Sequence, residues 1–413
     1  MEAMDSWLNG LLNKNRSEFS KWHDLKWANS YIADEIQIKR EKLLIDIGDS
    51  TLYKETKPFY NHISKGCEIC ASGKWSCLFI TNKCNAKCFY CPVSQETDET
   101  PSTQALDFEN PDDYANYINH FQFQGVSFSG GEPLLYFDRT LEYLKTVREK
   151  CNSNLYIWIY TNGILLDEDK LKKLASYNLN EIRFDIGAIG YKLDKVKLAK
   201  GLIPNITIEI PCIPEEKDRI IGMIPEMIEA GVTNLNLHHL RLTLFNAEKL
   251  VKRAYTIINA ERPLVMESEI AALEIINKGR EEGFDIGINY CSFHYKNRFQ
   301  KAGYRTILTQ KIFPDARITE NGYIREYDNN TLCYKELKLI DKSKALANEQ
   351  TLNFEGNEYY FTLKTVFFET DLSVEQKIKI NELLNNEPSI ITKDDLLFKI
   401  WQFEYIESGL REL

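Results

Sequence analysis

Nowhere in the 413-residue chain does an apolar run approach the roughly 18 residues that a membrane-crossing helix needs. The opening residues, MEAMDSWLNG, carry acids where a secretory signal would be basic, and the expected location is the cytoplasm. Positive charge is in deficit. With 51 Lys and Arg against 61 Asp and Glu, the formal net charge of −10 disfavours a general affinity for nucleic acid and leaves only a local basic groove as a route to it. There is no low-complexity stretch, no long flexible linker and no internal repeat beyond strand–helix units, which excludes solenoids and disordered arrays. What remains is 43% hydrophobic and 12% aromatic, a composition able to bury a real core in two or three domains.

Residues 1–66 show apolar positions at helical spacing (WLNGLLNKNRSEFSKWHDLKW, YIADEIQIKREKLLIDI) and predict a helical N-terminal extension. From residue 75 short β runs alternate with helical segments: WSCLFIT, GVSFS, LYIWIYT, NEIRFDI, NITIEIP and NLNLHHL. Asp138 and Asp167 are expected helix N-caps. Six such units predict an α/β fold, a partial (β/α)6 barrel of parallel strands over residues 67–295, with a doubly wound open sheet as the alternative. Residues 296–413 are expected to form a smaller α+β region that could dock a substrate.

The strands alternate. Ile182, Phe184 and Ile186 share one face while Arg183 and Asp185 share the other. Ile206, Ile208 and Ile210 oppose Glu209, and Leu235 and Leu237 oppose Asn236 and His238. Apolar faces should meet the helices, leaving a polar lumen that needs partners or a polar ligand. His238 is then an inward candidate for protonating or orienting a substrate, weighed against a structural role, and His239 should pack outward.

Ten cysteines in a reducing compartment read as thiols or metal ligands rather than disulfides, and six of them fall within residues 67–91. Cys84, Cys88 and Cys91 form C-x3-C-x2-C in the loop leaving the first strand, where parallel barrels place their chemistry. Three thiolates can hold three irons of a cubane cluster and leave the fourth iron open for a ligand.

This spacing, with Tyr90 just before the last cysteine and SGGEP after the second strand, resembles the signature of radical S-adenosylmethionine (SAM) enzymes. YTNG, Tyr160 to Gly163, also looks like that superfamily's pattern. The resemblance spans about residues 75–240. It implies an oxygen-sensitive enzyme with a 4Fe-4S cluster on Cys84, Cys88 and Cys91. It also implies SAM bound near Tyr90, Gly130, Gly131, Glu132 and Asn162, and an electron donor such as flavodoxin or ferredoxin. Such an enzyme cleaves SAM reductively to a 5′-deoxyadenosyl radical that takes hydrogen from a substrate. From the residues themselves, SAM's sulfonium, ammonium, carboxylate and ribose diol call for acids and a cation together. Asp185, Glu209 and Arg183 offer them, with internal ion pairing as the alternative for each.

Cys67 and Cys70 form a C-x2-C pair before the first strand, and Cys291 lies far downstream. Together they are candidates for zinc or a second iron–sulfur cluster, or for buried thiols. The layout also looks like a little-studied branch of the superfamily related to pyruvate formate-lyase activating enzymes. Geometry sets a condition: a segment preceding a barrel strand belongs at the bottom and a residue ending a parallel strand at the top, so either the strand before Cys291 is antiparallel or Cys291 belongs elsewhere. The basic segment Lys296–Arg305 reads mainly as a solvated face. A peptide or protein is the preferred substrate and a small metabolite the alternative. An electron-transfer or metal-binding protein whose cluster a fourth cysteine such as Cys77 closes is the reading from another class.

Overall fold

The computed structural model describes residues 2–28, 34–48, 50–53, 56–259, 262–328, 331–341, 350–354, 357–368, 372–383, 396 and 398–400. Its centre is a sheet of seven parallel strands: β1 (Trp75–Thr81), β2 (Gly125–Gly130), β3 (Tyr156–Thr161), β4 (Glu181–Phe184), β5 (Asn205–Pro211), β6 (Asn234–His238) and β7 (Gly287–Cys291). They lie side by side in chain order. Thr207 pairs with Arg183 and Asn234, and Asn236 with Glu209 and Asn289, so the polar positions form one continuous face. The six expected strands are all present, and the seventh follows the helix Met266–Glu282.

The sheet does not close. Beyond β7 runs the antiparallel strand Lys57–Tyr60, and beyond β1 the short strands Ser102–Thr103 and Leu106–Asp107, which makes this a partial barrel. The alternation read from the sequence decides what each face meets. Ile182, Phe184, Ile206, Ile208, Leu235 and Leu237 are buried in one cluster with Tyr114, Leu144, Leu171, Ile224 and Ile275 of the surrounding helices. A fully buried side chain of this size contributes about 1.5–3 kcal/mol, so this outer layer carries much of the stability.

Local signals place the helices. Asp167 caps Glu168–Ser176, its carboxylate accepting from the Lys170 amide at 2.8 Å. Asp138 is not a cap. The chain leaves β2 through a 3-10 turn, Pro133–Tyr136, that Glu132 caps, and this turn runs directly into Phe137–Lys150, leaving Asp138 inside the first turn.

The expected N-terminal helices are Glu2–Glu18 and Asp34–Ile47. After residue 323 a four-stranded antiparallel sheet (Ile324–Asp328, Thr331–Ile340, Asn357–Phe368 and Gln350–Phe354, in spatial order) packs through Leu337, Leu339 and Phe361 on the same core. The expected helical end is described at Val374–Leu383, and residues 401–413 lie outside the described residues.

The helix Lys65–Ala71, which carries Cys67 and Cys70, sits against the polar face rather than below the strands. Its cap, Ser64, accepts a hydrogen bond from Arg183 Nη2 at 3.2 Å. A Cβ built on Gly66 would stand 2.4 Å from Arg183 Nη2 and 2.6 Å from Glu181 Oε2, two groups with no room to yield. Gly66→Ala should therefore lower stability by about 1–3 kcal/mol through overpacking, read as a reduced urea midpoint with an unchanged slope.

Candidate active site

The three-cysteine loop is built by close backbone contact between the ends of β1 and β2. The β1–β2 register shifts between Phe79 and Thr81. The Gly131 amide donates to the Thr81 carbonyl at 2.7 Å and the Glu132 amide to that of Lys83 at 2.9 Å. Gly130 holds φ +125°, and a Cβ on Gly130 or Gly131 would fall 2.1 Å from the Thr81 or Lys83 oxygen. Only glycine permits this approach.

The loop is then closed and backed. The Cys84 amide donates to the Gln95 carbonyl at 3.1 Å, Asn246 Nδ2 to the Tyr90 carbonyl at 3.1 Å, and Lys249 Nζ to that of Cys88 at 3.3 Å. Behind it, Phe89 and Tyr90 pack with Phe19, Trp22 and Trp27 of the N-terminal segment.

Cys84, Cys88 and Cys91 all line a cavity of about 470 Å³ at the carboxyl ends of the strands, a size suited to a small cofactor, and no fourth cysteine is on its wall. Burial raises all three thiols, Cys88 to about 12, so as free side chains they are protonated at neutral pH and a bound metal must draw out the thiolates. Cys77 lies elsewhere, hydrogen-bonded to Ser127 and Ser129, and does not reach this wall.

Tyr90, Gly130, Gly131, Asn162, Arg183, Asp185, Glu209 and His238 line the same cavity, so the structure brings the expected residues together. Several are already committed to one another. Tyr90 donates its hydroxyl to Asp185 at 2.8 Å, tying the cysteine loop to the end of β4, and Gly187 must lack a Cβ to admit that hydroxyl. Asn162 braces the loop, donating to Asn85 Oδ1 at 2.7 Å and to Cys84 Sγ at 3.7 Å.

Glu132, expected on SAM, is fully buried and off the cavity wall. Its carboxylate accepts from the Leu134 amide, the Thr161 hydroxyl and the Asn162 amide at 3.0, 2.8 and 2.7 Å, and burial raises it to about 7.

Arg183 was a candidate for SAM's carboxylate, with internal ion pairing as the alternative, and in the structure it is ion-paired to Glu181 and Glu209. All five of its N–H donors are spent on Glu181, Glu209, Ser64 and Tyr160. Glu209 is equally occupied. Arg183 Nη1 and Asn236 Nδ2 donate to one oxygen at 2.8 and 2.7 Å, and His238 Nε2 bonds the other. Its burial is outweighed by Arg183 and His238, which hold its carboxyl far below the usual range.

His238 has both ring nitrogens engaged, so it links Glu209 to Lys296 rather than facing a substrate freely. Lys296 Nζ has only donors and lies 2.8 Å from Nδ1, which makes Nδ1 the acceptor and puts the ring proton on Nε2. His239, expected to pack outward, instead contributes to the same cavity wall, buried with Nε2 3.0 Å from the Val265 carbonyl.

Two charged lining residues escaped the sequence reading. Lys296, assigned to a solvated face, turns inward because Lys296–Lys301 forms a π-helical turn. Arg241 lines the cavity beside the cysteine loop; its guanidinium lies over Phe293, 5.5 Å from the ring, and no carboxylate among the described residues pairs with it. Arg241 lies three residues past the end of β6, beyond the strand alternation that marked the other inward positions.

The second cysteine set also converges. β7 is parallel to β6, yet Cys291 lines one smaller cavity with Cys67 and Cys70, because the helix bearing the pair packs on the polar face near the amino ends of β2 and β4 and turns its cysteines inward. The geometric condition set by the sequence is thus met in a third way.

Burial pushes the Asp185 carboxyl up to about 6, against hydrogen bonds from Tyr90 and from the Gly187 and Ala188 amides that favour its charge. The native state then holds a proton that the unfolded chain releases from about pH 3.8, so stability falls as pH rises through this window. Asp185→Asn should match the wild type near pH 4 and exceed it by on the order of 3 kcal/mol above pH 7, measured by urea denaturation of ligand-free protein at each pH.

With this geometry in hand, comparison with known proteins is informative. Residues 78–228 match the family profile described as the radical SAM superfamily. A Methanocaldococcus jannaschii protein named provisionally as a glycyl-radical enzyme activating enzyme is 27% identical over 278 residues, 64% of this chain and 73% of its own length. GTP 3′,8-cyclase of Campylobacter jejuni is 26% identical over 129 residues, 31% of this chain and 39% of the cyclase. Among solved structures, Streptococcus suis SuiB bound to S-adenosylmethionine aligns with a TM-score of 0.38 and 13% identity over 59% of this chain, which spans about half (52%) of SuiB. No helix among the described residues is long and apolar enough to cross a membrane. The matched segment holds the three-cysteine loop, the Gly130–Pro133 turn and most of the sheet from β1 to β5, so the part of the chain that carries the site is a radical SAM domain.

Proposed function

We propose that Cys84, Cys88 and Cys91 hold a 4Fe-4S cluster chelated by SAM in the 470 Å³ cavity, and that the radical chemistry acts on a peptide or protein. The observation that carries the reading is a single loop presenting three thiols to one cavity with no fourth cysteine on its wall. An electron carrier would close its cluster, and Cys77, the candidate for doing so, does not line the site. When bound, the reduced cluster supplies one electron to SAM, and carbon–sulfur cleavage yields methionine and the 5′-deoxyadenosyl radical that takes hydrogen from the substrate.

The chain's own residues place and enclose that chemistry. Asp185, oriented by Tyr90 and the Gly187 amide, keeps acceptor capacity for the ribose hydroxyls. Arg241, beside the cysteine loop, is a cation available to SAM's carboxylate, since Arg183 has no donor left and Lys296 is bonded to His238. Ala188, Ile210 and Leu240 offer apolar wall to the adenine. Arg183, Glu209, His238 and Lys296 act as a fixed polar floor that limits water below the reacting atoms.

A protein substrate is supported by the M. jannaschii relative, whose name points to activation of a glycyl-radical enzyme. The C-terminal sheet contributes no residue to the wall, so any docking role for it would be at the surface. Flavodoxin or ferredoxin is the proposed electron donor.

Anaerobically reconstituted, reduced protein should convert SAM to 5′-deoxyadenosine and methionine, and SAM should alter the cluster's electron paramagnetic resonance (EPR) signal. Absence of product from fully loaded protein would sink the reading. Arg241→Gln should weaken SAM binding about 10- to 100-fold, the worth of one charge-assisted hydrogen bond, while leaving iron content unchanged. Deuterium should reach 5′-deoxyadenosine from a perdeuterated protein fraction of a cell extract; transfer from the small-molecule fraction alone would assign a metabolite instead.

A further inference from the structure

Beneath the floor formed by Arg183, Glu209 and His238, the lumen encloses a second cavity of about 150 Å³, lined by Cys67, Cys70 and Cys291. Each sulfur is met by an N–H donor. Asn236 Nδ2 lies 3.2 Å from Cys67 Sγ, Gln300 Nε2 2.6 Å from Cys70 Sγ, and Lys57 Nζ 2.9 Å from Cys291 Sγ. A thiol is a weak acceptor, so three donors aimed at three sulfurs suit thiolates far better than thiols.

Charge points the same way. Lys57, Lys296 and Arg183 face Glu209 and Glu181, an excess of one positive charge. Three thiolates turn that excess into a deficit of two, which a dipositive metal core cancels; without one they would stand uncompensated in a buried site.

The Tyr295 hydroxyl adds an independent sign of a missing ligand. Tyr295 is 1% exposed, lines this cavity, and its oxygen has no hydrogen-bond partner among the described residues. Its hydroxyl is therefore free to meet an occupant of the cavity.

Cys67, Cys70 and Cys291 are set around the cavity rather than at one point of its wall. The cavity has room for about five water molecules, much more than one ion needs. Three thiols lining a space of that size suit a core in which each binds its own metal atom, and Cys84, Cys88 and Cys91 line the upper cavity in the same number.

We propose that Cys67, Cys70 and Cys291 hold a second four-iron cluster inside the barrel, with one iron free of cysteine and open to the Tyr295 hydroxyl. This assignment does not depend on SAM binding above it.

The test is iron and acid-labile sulfide after anaerobic reconstitution, with Mössbauer and EPR spectra. Wild-type protein should carry about eight irons per chain, of which about half respond to SAM. The variant Cys84→Ala/Cys88→Ala/Cys91→Ala should keep about half of the iron and sulfide, with spectra indifferent to SAM. Cys67→Ser/Cys70→Ser/Cys291→Ser should keep the responsive half. Tyr295→Phe should retain full iron and shift only the unresponsive signal. About four irons in the wild type, all SAM-responsive, would overturn the proposal without any substitution, as would a folded first variant that holds no sulfide or a single zinc. Failure of the SAM reading looks different: both iron pools present and no 5′-deoxyadenosine.

Discussion

One buried guanidinium organises the interior. The Arg183 side chain is 2% exposed and stands between Glu181 on its own strand and Glu209 on β5, while also reaching Tyr160 on β3 and Ser64, the cap of the lumenal helix. An isolated buried charge of this kind would cost several kcal/mol, and it is tolerated because every donor has an acceptor. Three strands and a helix are thereby held in one arrangement, and the lumen is divided into an upper cavity lined by the cysteine loop and a smaller, lower one. The positions of Glu209, His238 and Lys296 follow from it, each fixed by the neighbour before it.

The upper cavity depends on a second constraint, the contact between glycine backbone and loop backbone. Gly130 and Gly131 let the end of β2 lie against residues 81–83, which aims the three cysteines toward the strand ends. From there the site is fastened in two directions. Tyr90 reaches Asp185 on β4, and Phe89 with Tyr90 is seated on aromatic residues of the N-terminal segment. That segment, without chemistry of its own, sets the back wall of the loop.

Much of this was legible in the chain. Alternation placed Arg183, Glu209, Asn236 and His238 inward, and the C-x3-C-x2-C spacing with SGGEP located the site and its family. What alternation could not tell is how a side chain spends its hydrogen bonds. For Arg183, Glu209 and His238 the sequence left a ligand-facing role and internal pairing both open, and each is engaged by internal partners, most of them distant in sequence. Glu132 sits in the right motif but faces the wall, since the turn it caps and the amide of Asn162 claim its oxygens first. Lys296 was hidden inside a run of basic residues, because a π-helical turn changes which positions share a face.

The sequence by itself determined the local matters: which residues are strand and helix, which strand face is polar, and that three thiols sit on one loop. These depend on spacing along the chain, where period and short-range geometry are decisive. Only the tertiary structure decided that the helix of Cys67 and Cys70 meets the polar face, that Cys291 on a parallel strand meets it there, and that Arg241 lines the upper cavity with no carboxylate partner among the described residues. Those outcomes rest on contacts between residues more than a hundred positions apart, for which charge pairing and packing volume in three dimensions, and no periodicity, select the answer.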